Sequence, residues 1–202
     1  MANIQRQFPI AFALRFHEML NKLNPVSFES VQDFLNQFEL VEYKKGEVLL
    51  HAGEVCRHLY YVIKGGLRCF MHDEDGKEIN LHFYFEDELA SEFKSLRQQT
   101  PSDRNLAALS TTKVLRAARP DYIEFFKNND SFMQAAFRFF QQMFLEEEEH
   151  SEMLRKLSSE EKYQYVLDNH PHLLQKISLT QLASWLGMSR ESLSRIRGKA
   201  IQ

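Results

Sequence analysis

Residues 178–198, SLTQLASWLGMSRESLSRIRG, leave little choice of local structure. Ser178 with Gln181 three positions later forms a capping box. The hydroxyl accepts from a backbone N–H of the first turn, and the Gln side chain reaches back. Leu182, Trp185 and Leu186 then share one helical face. Ala183 is small where a second helix must cross closely. Gly187 stands where the chain reverses, and glycine enters the left-handed region at least cost. Ser189 caps a second helix whose inward residues are Leu193 and Ile196. Two short helices about a tight turn make a helix-turn-helix. When such a unit binds DNA, the N-terminal part of its second helix enters the major groove. Arg190, Glu191, Ser194, Arg195 and Arg197 lie off the inward face. Arg pairs bidentately with guanine, and Glu accepts from the cytosine amino group. A helical hairpin with a merely solvated polar face is the plainer alternative.

Charge bears on that choice. The 202-residue chain has a formal net charge of −3, which by itself argues against a polyanionic partner. Its distribution argues the other way. From Lys176 to the end there are five Lys/Arg and one acid, whereas residues 1–175 hold 20 Lys/Arg against 27 acids. A small basic end on an acidic body fits a local DNA-binding module.

The rest of the chain divides by hydrophobic period. Residues 1–37 read as helical, with Phe12, Phe16 and Met19-Leu20 in phase, a break at Pro25, and resumption at Phe28, Val31, Phe34-Leu35 and Phe38. From Leu40 the pattern becomes that of strands, expected over 48–51, 59–63 and 67–72, with Asp75-Gly76 as a hairpin turn. Ile79, Leu81, Phe83 and Phe85 alternate with Asn80, His82, Tyr84 and Glu86, so one face of that strand is expected to be buried. A short helix and loop over 91–100 and final strands over 105–118 complete an antiparallel β-roll or barrel. Helix then runs over about 121–157 with a break near 128–131. Its stripe of Phe132, Ala136, Phe140, Met143-Phe144, Met153-Leu154 and Leu157 is too apolar for solvent and must face the β-roll, a partner subunit, or both. Ser158-Ser159-Glu160-Glu161 restarts a helix to Leu167, and Asn169–His172 leads into the helix-turn-helix.

Several functions are disfavoured. No run of 18 apolar residues is present, so no membrane span is expected. The N-terminus lacks the pattern of a secretory signal. Cys56 and Cys69 have no metal-binding spacing and suit a reducing, cytoplasmic setting. Glu146–Glu149 with His150 contains a Glu-x-x-His spacing that would ligate a metal across two facing helices. An acidic solvated face is the preferred reading, and no metal site is expected. His170-Pro171-His172 reads as a loop. No nucleophile elbow or phosphate-binding Gly-rich loop occurs, so the chain is not expected to be an enzyme.

Four stretches carry a resemblance: Lys45-Gly46-Glu47; Leu59-Tyr60-Tyr61-Val62-Ile63-Lys64-Gly65; Asp73-Glu74-Asp75-Gly76-Lys77-Glu78; and Gly187-Met188-Ser189-Arg190-Glu191-Ser192-Leu193-Ser194-Arg195-Ile196. Over about residues 38–198 the chain resembles the CRP/FNR family of bacterial transcription regulators. The resemblance implies an α+β fold: an N-terminal antiparallel, jelly-roll-like β-roll flanked by helices, a long dimerisation helix and a C-terminal helix-turn-helix domain. The implied divisions are residues 1–127 for the sensor, 128–157 for the dimerisation helix and 158–202 for the DNA-binding domain. The family's base-reading trio falls on Arg190, Glu191 and Arg195. Ser189, Ser192, Ser194, Arg197 and Lys199 complete the reading helix, and Lys176, Thr180 and Gln181 are the available phosphate contacts. The dimer interface is expected at Phe132, Phe140, Met143, Phe144 and Leu154. Implied partners are double-stranded DNA and a second copy of the chain, and RNA polymerase stays open.

The sensor half departs from the family pattern. Cyclic-nucleotide binders of this type use a Gly-Glu pair for the sugar and an Arg followed by a small residue for the phosphate. Here Ser91-Glu92 and Ser102-Asp103 stand at those places. A buried anion without an opposite charge is costly, and Asp103 adds repulsion. The expected effector pocket comprises Phe83, Phe85, Ser91, Glu92, Ser102, Arg104 and Asn105, divergent and not binding cyclic nucleotide, with the effector itself unknown. Positions that would face a purine fall among Glu147 and Glu148. A cyclic-nucleotide-responsive regulator with the phosphate contact shifted to Arg104 or Arg97 is the alternative, and a β-roll interaction module without DNA binding is a third reading. The iron–sulfur branch needs an N-terminal cysteine cluster that this sequence lacks, and haem is not expected. The wing hairpin that family members often carry beyond the reading helix is not expected among the residues after Ile196.

Overall fold

The computed structural model describes residues 10–200. Two helices open it, α1 (Ile10–Leu23) and α2 (Phe28–Leu35). Ser27 starts the second by accepting from the Ser30 N–H at 3.1 Å, which satisfies one of the donors a helix start leaves open. Eight strands follow: β1 (Phe38–Tyr43), β2 (Val48–Leu50), β3 (His58–Lys64), β4 (Leu67–His72), β5 (Glu78–Tyr84), β6 (Leu89–Ala90), β7 (Asn105–Ala108) and β8 (Thr112–Ala118). A short helix, α3 (Phe93–Gln98), interrupts them after β6. The C-terminal part is helical: α4 (Arg119–Lys127), α5 (Asp130–Lys156), α6 (Ser159–Asn169), α7 (Leu173–Lys176), α8 (Leu179–Trp185) and α9 (Arg190–Ala200). The α+β class with antiparallel sheets is therefore as expected. Strand β1 is an addition to the sequence reading, which phases its first residue, Phe38, with the preceding helix; so are the short strand β6 and the single-turn α7.

Packing divides the chain into two units, one built from residues up to Leu67 together with Tyr84–Gln142, the other from Arg68–Phe83 with the residues from Met143 onward. In the first unit one sheet has the order β1-β8-β3-β6. Strand β8 is its middle: Phe38 faces Ala117 and Tyr43 faces Thr112 on one side, while His58 faces Ala118 and Tyr61 faces Leu115 on the other. Strands β2 and β7 pair antiparallel, with a register shift between Val48 and Leu50. The core against this sheet is aromatic. Phe16 meets Tyr61 edge-on at 4.8 Å, and Phe34 meets Phe38 at 5.1 Å and Phe132 at 4.9 Å between ring centroids. Buried aromatic pairs of this kind contribute about 0.5–1.5 kcal/mol beyond their area. The Tyr61 hydroxyl donates to Asp87 at 2.7 Å, and burial together with that bond pushes its pKa up.

The turn between β3 and β4 admits one residue type. Gly65 has φ +90°, and a Cβ there would lie 2.7 Å from Thr112 Oγ1 and 2.8 Å from the Thr111 carbonyl. Both contacts are closer than real Cβ atoms come, and the φ alone disfavours any L side chain. The buried Thr112 hydroxyl is fixed in turn, donating to the Gly66 carbonyl at 2.9 Å and accepting from the Gly66 N–H at 3.2 Å.

In the second unit, β4 and β5 form a hairpin around Asp75-Gly76. Arg68 grips Glu78 with two bonds of 2.6 and 2.9 Å and lies over the Phe70 ring at 3.9 Å. The Arg68 bond holds the Glu78 carboxyl below its ordinary value. Here the expected alternation along β5 fails. Asn80 is 4% exposed, whereas Ile79 and Leu81 are only half-buried. Arg68 donates to the Asn80 side chain at 3.1 Å, and its backbone N–H donates to Ser184 of α8 at 2.9 Å. A strand covered on its polar face by another element has no solvent face, so its period carries no information about burial. Helix α6 begins with a complete capping box between Ser158 and Glu161.

Candidate nucleic-acid interface and effector segment

The helix-turn-helix is built by local rules. Ser178 Oγ accepts from the Gln181 N–H at 3.2 Å and Gln181 Oε1 accepts from the Ser178 N–H at 2.9 Å. Leu182, Ala183, Trp185 and Leu186 of α8 are buried, as are Leu193 and Ile196 of α9 and Tyr163 and Val166 of α6; α8 packs on α9, and α9 on α6. Gly187 has φ +63°. Its N–H donates to the Ser184 carbonyl at 3.1 Å, and the Met188 N–H donates to the Ala183 carbonyl at 2.9 Å. These are the two bonds of a Schellman ending, which requires the left-handed residue between them. Ser189 Oγ accepts from the Ser192 N–H at 3.1 Å and so caps α9.

The inward positions of α9 leave its charges outside. Ser189, Arg190, Glu191, Ser194, Arg195 and Lys199 are exposed; Ser192 and Arg197 are half-buried. Among the described residues, no ion pair involves Arg190, Glu191 or Arg195. Two guanidinia and a carboxylate on one short exposed helix, held rigid from behind, are free to meet base edges or phosphates. Lys176 and Thr180 are exposed just before and within the first turn of α8. Gln181 is half-buried. Its Oε1 serves the cap, which leaves its amide NH2 as the donor toward a phosphate.

The segment expected to hold an effector is organised in the opposite way. Ser91 is buried; its hydroxyl donates to the His58 carbonyl at 2.9 Å and lies 3.2 Å from Cys56 Sγ. Glu92, 3% exposed, is the N-cap of α3, its carboxylate accepting from the N–H groups of Ser95 at 2.9 Å and Lys94 at 3.3 Å. The Ser102 hydroxyl closes on its own loop, donating to the Arg104 carbonyl at 2.9 Å and accepting from the Arg104 N–H at 3.0 Å. Asn105 Oδ1 accepts from the Ala52 N–H at 3.0 Å. The Arg104 guanidinium is part-exposed beside Asp103 at 3.7 Å. Arg97 is exposed. Phe83 and Phe85 are both buried, but they fall in different units. Cys56 and Cys69 are buried and form no disulfide.

Helix α5 corrects one expected interface residue. Phe132 is 1% exposed, wedged between Phe34 and Phe125, each 4.9 Å away. Its ring is committed to its own chain and has none left to offer a partner. Phe140 and Phe144 are 45% and 65% exposed, and Met143 and Leu154 half-buried. Met133 and Phe137, which the sequence reading does not name, are also exposed, at 46% and 63%. Met133, Phe137, Phe140 and Phe144 repeat at steps of four, three and four, the spacing of a helix–helix seam. That spacing was available in the sequence, where Phe132 and Ala136 drew the stripe one residue out of phase. Among the described residues no cluster of His, Cys, Asp or Glu is placed to hold a metal ion, and Glu147 pairs with His82 of β5 at 3.4 Å. His150 turns inward against Trp185.

Fold and site together describe a cyclic-nucleotide-binding-type domain and a helix-turn-helix in one chain. Comparison with known proteins agrees. Residues 40–129 match the profile of the cyclic nucleotide-binding domain. The cAMP-activated global transcriptional regulator CRP of Pasteurella multocida is 42% identical over 50 residues, 25% of this chain and 24% of that protein. CRP of Salmonella typhimurium is 32% identical over 59 residues, 29% of this chain and 28% of that protein. The matched segments thus span about a quarter of the length of these curated relatives. Among solved structures, the Thermus thermophilus catabolite activator protein superposes with a TM-score of 0.56 at 25% identity, covering 91% of this chain and 86% of that one. The c-di-GMP responsive regulator CLP of Xanthomonas campestris gives 0.70 at 17% identity, covering 87% and 92%. Over residues 40–129 the chain carries a cyclic nucleotide-binding-type domain, and parts of it are similar to CRP-type transcription regulators. Among the described residues, no helix is long and apolar enough to cross a membrane.

Proposed function

We propose that this chain is a dimeric DNA-binding regulator that reads a pseudo-palindromic operator with α9. The observation that carries the reading is the exposed Arg190, Glu191 and Arg195 set on a capped, rigidly backed helix. Two copies joined along the Met133–Phe137–Phe140–Phe144 seam would present two such helices, and operator symmetry would mirror the dimer. The functional divisions are residues 1–127, 128–157 and 158–202, the last bearing the DNA contacts. RNA polymerase is the partner a bound activator of this kind would meet.

In the same proposal the effector segment is divergent. Glu92 and Ser102, at the positions of sugar and phosphate recognition, already have their hydrogen bonds filled by the chain itself. Binding a cyclic nucleotide there would break those bonds and set the phosphate beside Asp103. Anisotropy with duplexes selected from a random library tests the DNA reading. A steep salt dependence with a palindromic motif is expected, and sequence-independent or absent binding overturns it. Calorimetry with cyclic AMP and cyclic GMP tests the segment, and a micromolar constant for either refutes divergence. One observation favours the alternative of a shifted phosphate contact: the part-exposed Arg104 guanidinium. In that case Arg104→Ala abolishes the binding seen.

A further inference from the structure

Helix α8 is fastened from behind by contacts that DNA reading does not use. The Ser184 hydroxyl accepts from the Asn80 N–H at 2.9 Å and donates to the Glu78 carbonyl at 3.0 Å. It thus occupies the edge of β5 as a neighbouring strand would. Next in sequence, Trp185 is 8% exposed, and the His150 imidazole of α5 stacks on it at 4.3 Å with an interplanar angle of 12°. The same imidazole bonds the Trp185 carbonyl through Nε2 at 3.2 Å. A carbonyl only accepts, so Nε2 carries the proton and the neutral ring is complete with Nδ1 bare. His170 meets the indole edge-on at 5.6 Å.

We propose that Ser184, Trp185 and His150 form a proton-sensitive clamp that fixes the helix-turn-helix against α5 and the β4–β5 hairpin, and that acidification opens it.

The groups around the clamp set the sign. Toward His150 stand Glu147 on its own helix, His82 from β5, His170 after α6 and the Trp185 carbonyl from α8. Burial lowers its pKa below the ordinary 6.5 and outweighs the carbonyl bond and Glu147, which raise it; His82 and His170 lower it further. His170 is also lowered, chiefly by burial, against Glu146 and Glu149. His172, facing His170 and Lys176, shifts the same way. A cation on an indole face is attracted to it, but a ring withdrawn from water loses more hydration than that attraction returns. Released imidazoles take up protons at their ordinary value, whereas clamped ones resist. Clamp strength is therefore constant above about pH 6.5 and falls progressively below it. Because His170 is lowered as well as His150, the open state takes up more protons than the clamp does, which steepens the fall.

The consequence for operator binding rests on the DNA reading proposed above, but the clamp is testable without DNA. Trp185 is the sole tryptophan of the chain, so emission from the whole protein reports on this contact. From pH 8 to 7 the emission should be steady. Between pH 6.5 and 5 it should change, together with at least a tenfold loss of hydrogen-exchange protection at the Asn80 amide. The buried Leu193 amide of α9 should stay protected throughout. His150→Phe keeps a flat ring and removes the titrating group, so it should flatten the emission change. If that variant does not fold, His150→Gln retains an N–H donor for the Trp185 carbonyl and carries the same expectation. An unchanged transition in the folded variant, or simultaneous loss of protection at Leu193, overturns the clamp. Absence of DNA binding at pH 8 with the transition intact would strike the DNA reading alone.

Discussion

Residues 91–105 and helix α9 are both rich in polar side chains, yet they hold them in opposite ways. In the first, Ser91, Glu92, Ser102 and Asn105 are buried, and each is bonded to backbone of the same chain. In the second, Arg190, Glu191 and Arg195 stand in water with no ion pair among the described residues, while Leu193 and Ile196 hold the helix from behind. A buried polar group that is already satisfied is architecture, because a ligand must match bonds it displaces. An exposed, preorganised charge has no such debt. The difference teaches that position within a family's fold is a weaker guide to binding than the state of a side chain's hydrogen bonds.

The contrast can be broken or sharpened by substitution. The largest effect is expected from Phe137→Glu with Phe144→Glu. Losing the linkage between two reading heads should cut operator affinity by about 100-fold or more, with monomers in sedimentation. A double variant that still sediments as a dimer, or a wild-type chain that is monomeric at micromolar concentration, removes the seam from the account. Next, Arg190→Ala should relax preference at one base pair of each half-site by about 1–3 kcal/mol. If a random-library selection returns the wild-type motif with only weaker binding, Arg190 belongs to the backbone contacts instead.

Gly187→Ala forces a side chain into the left-handed region and should reduce stability by about 1–2 kcal/mol, read from thermal melting. Glu92→Ala sharpens the other side. As a cap it should cost about 1 kcal/mol of stability and leave nucleotide titrations as featureless as in the wild type. An effect on ligand binding without one on melting would make Glu92 a recognition residue. The smallest change is expected from Lys199→Ala, which should lower affinity evenly across sequences and reduce the salt slope by about one.

Legibility in the sequence followed the range of the forces involved. The helix-turn-helix rests on contacts within a few residues: the Ser178–Gln181 box, the Gly187 ending and the Ser189 cap. Each is written in consecutive letters. Strand positions were legible through turn residues and β-rich runs. What covers a surface was not. Asn80 looked solvent-facing because nothing near it in sequence announces Ser184 on its far side. Phe132 looked available to a partner because its neighbours Phe34 and Phe125 come from other elements. In the effector segment, residue types pointed to divergence, but only the structure shows that Glu92 is occupied by the start of α3.

The turn at Gly65 has a consequence for reading variation in this protein. Thr112 Oγ1 and the Thr111 carbonyl fill the space a side chain would need there. In a saturation-mutagenesis map scored by operator occupancy, position 65 would therefore tolerate almost nothing, as severely as a base-reading position does. Relatives aligned by such intolerance would present it as a functional signature. The two kinds of position separate under a second score: a change at Gly65 should deplete folded protein from the cell, whereas one at Arg190 should leave its abundance untouched.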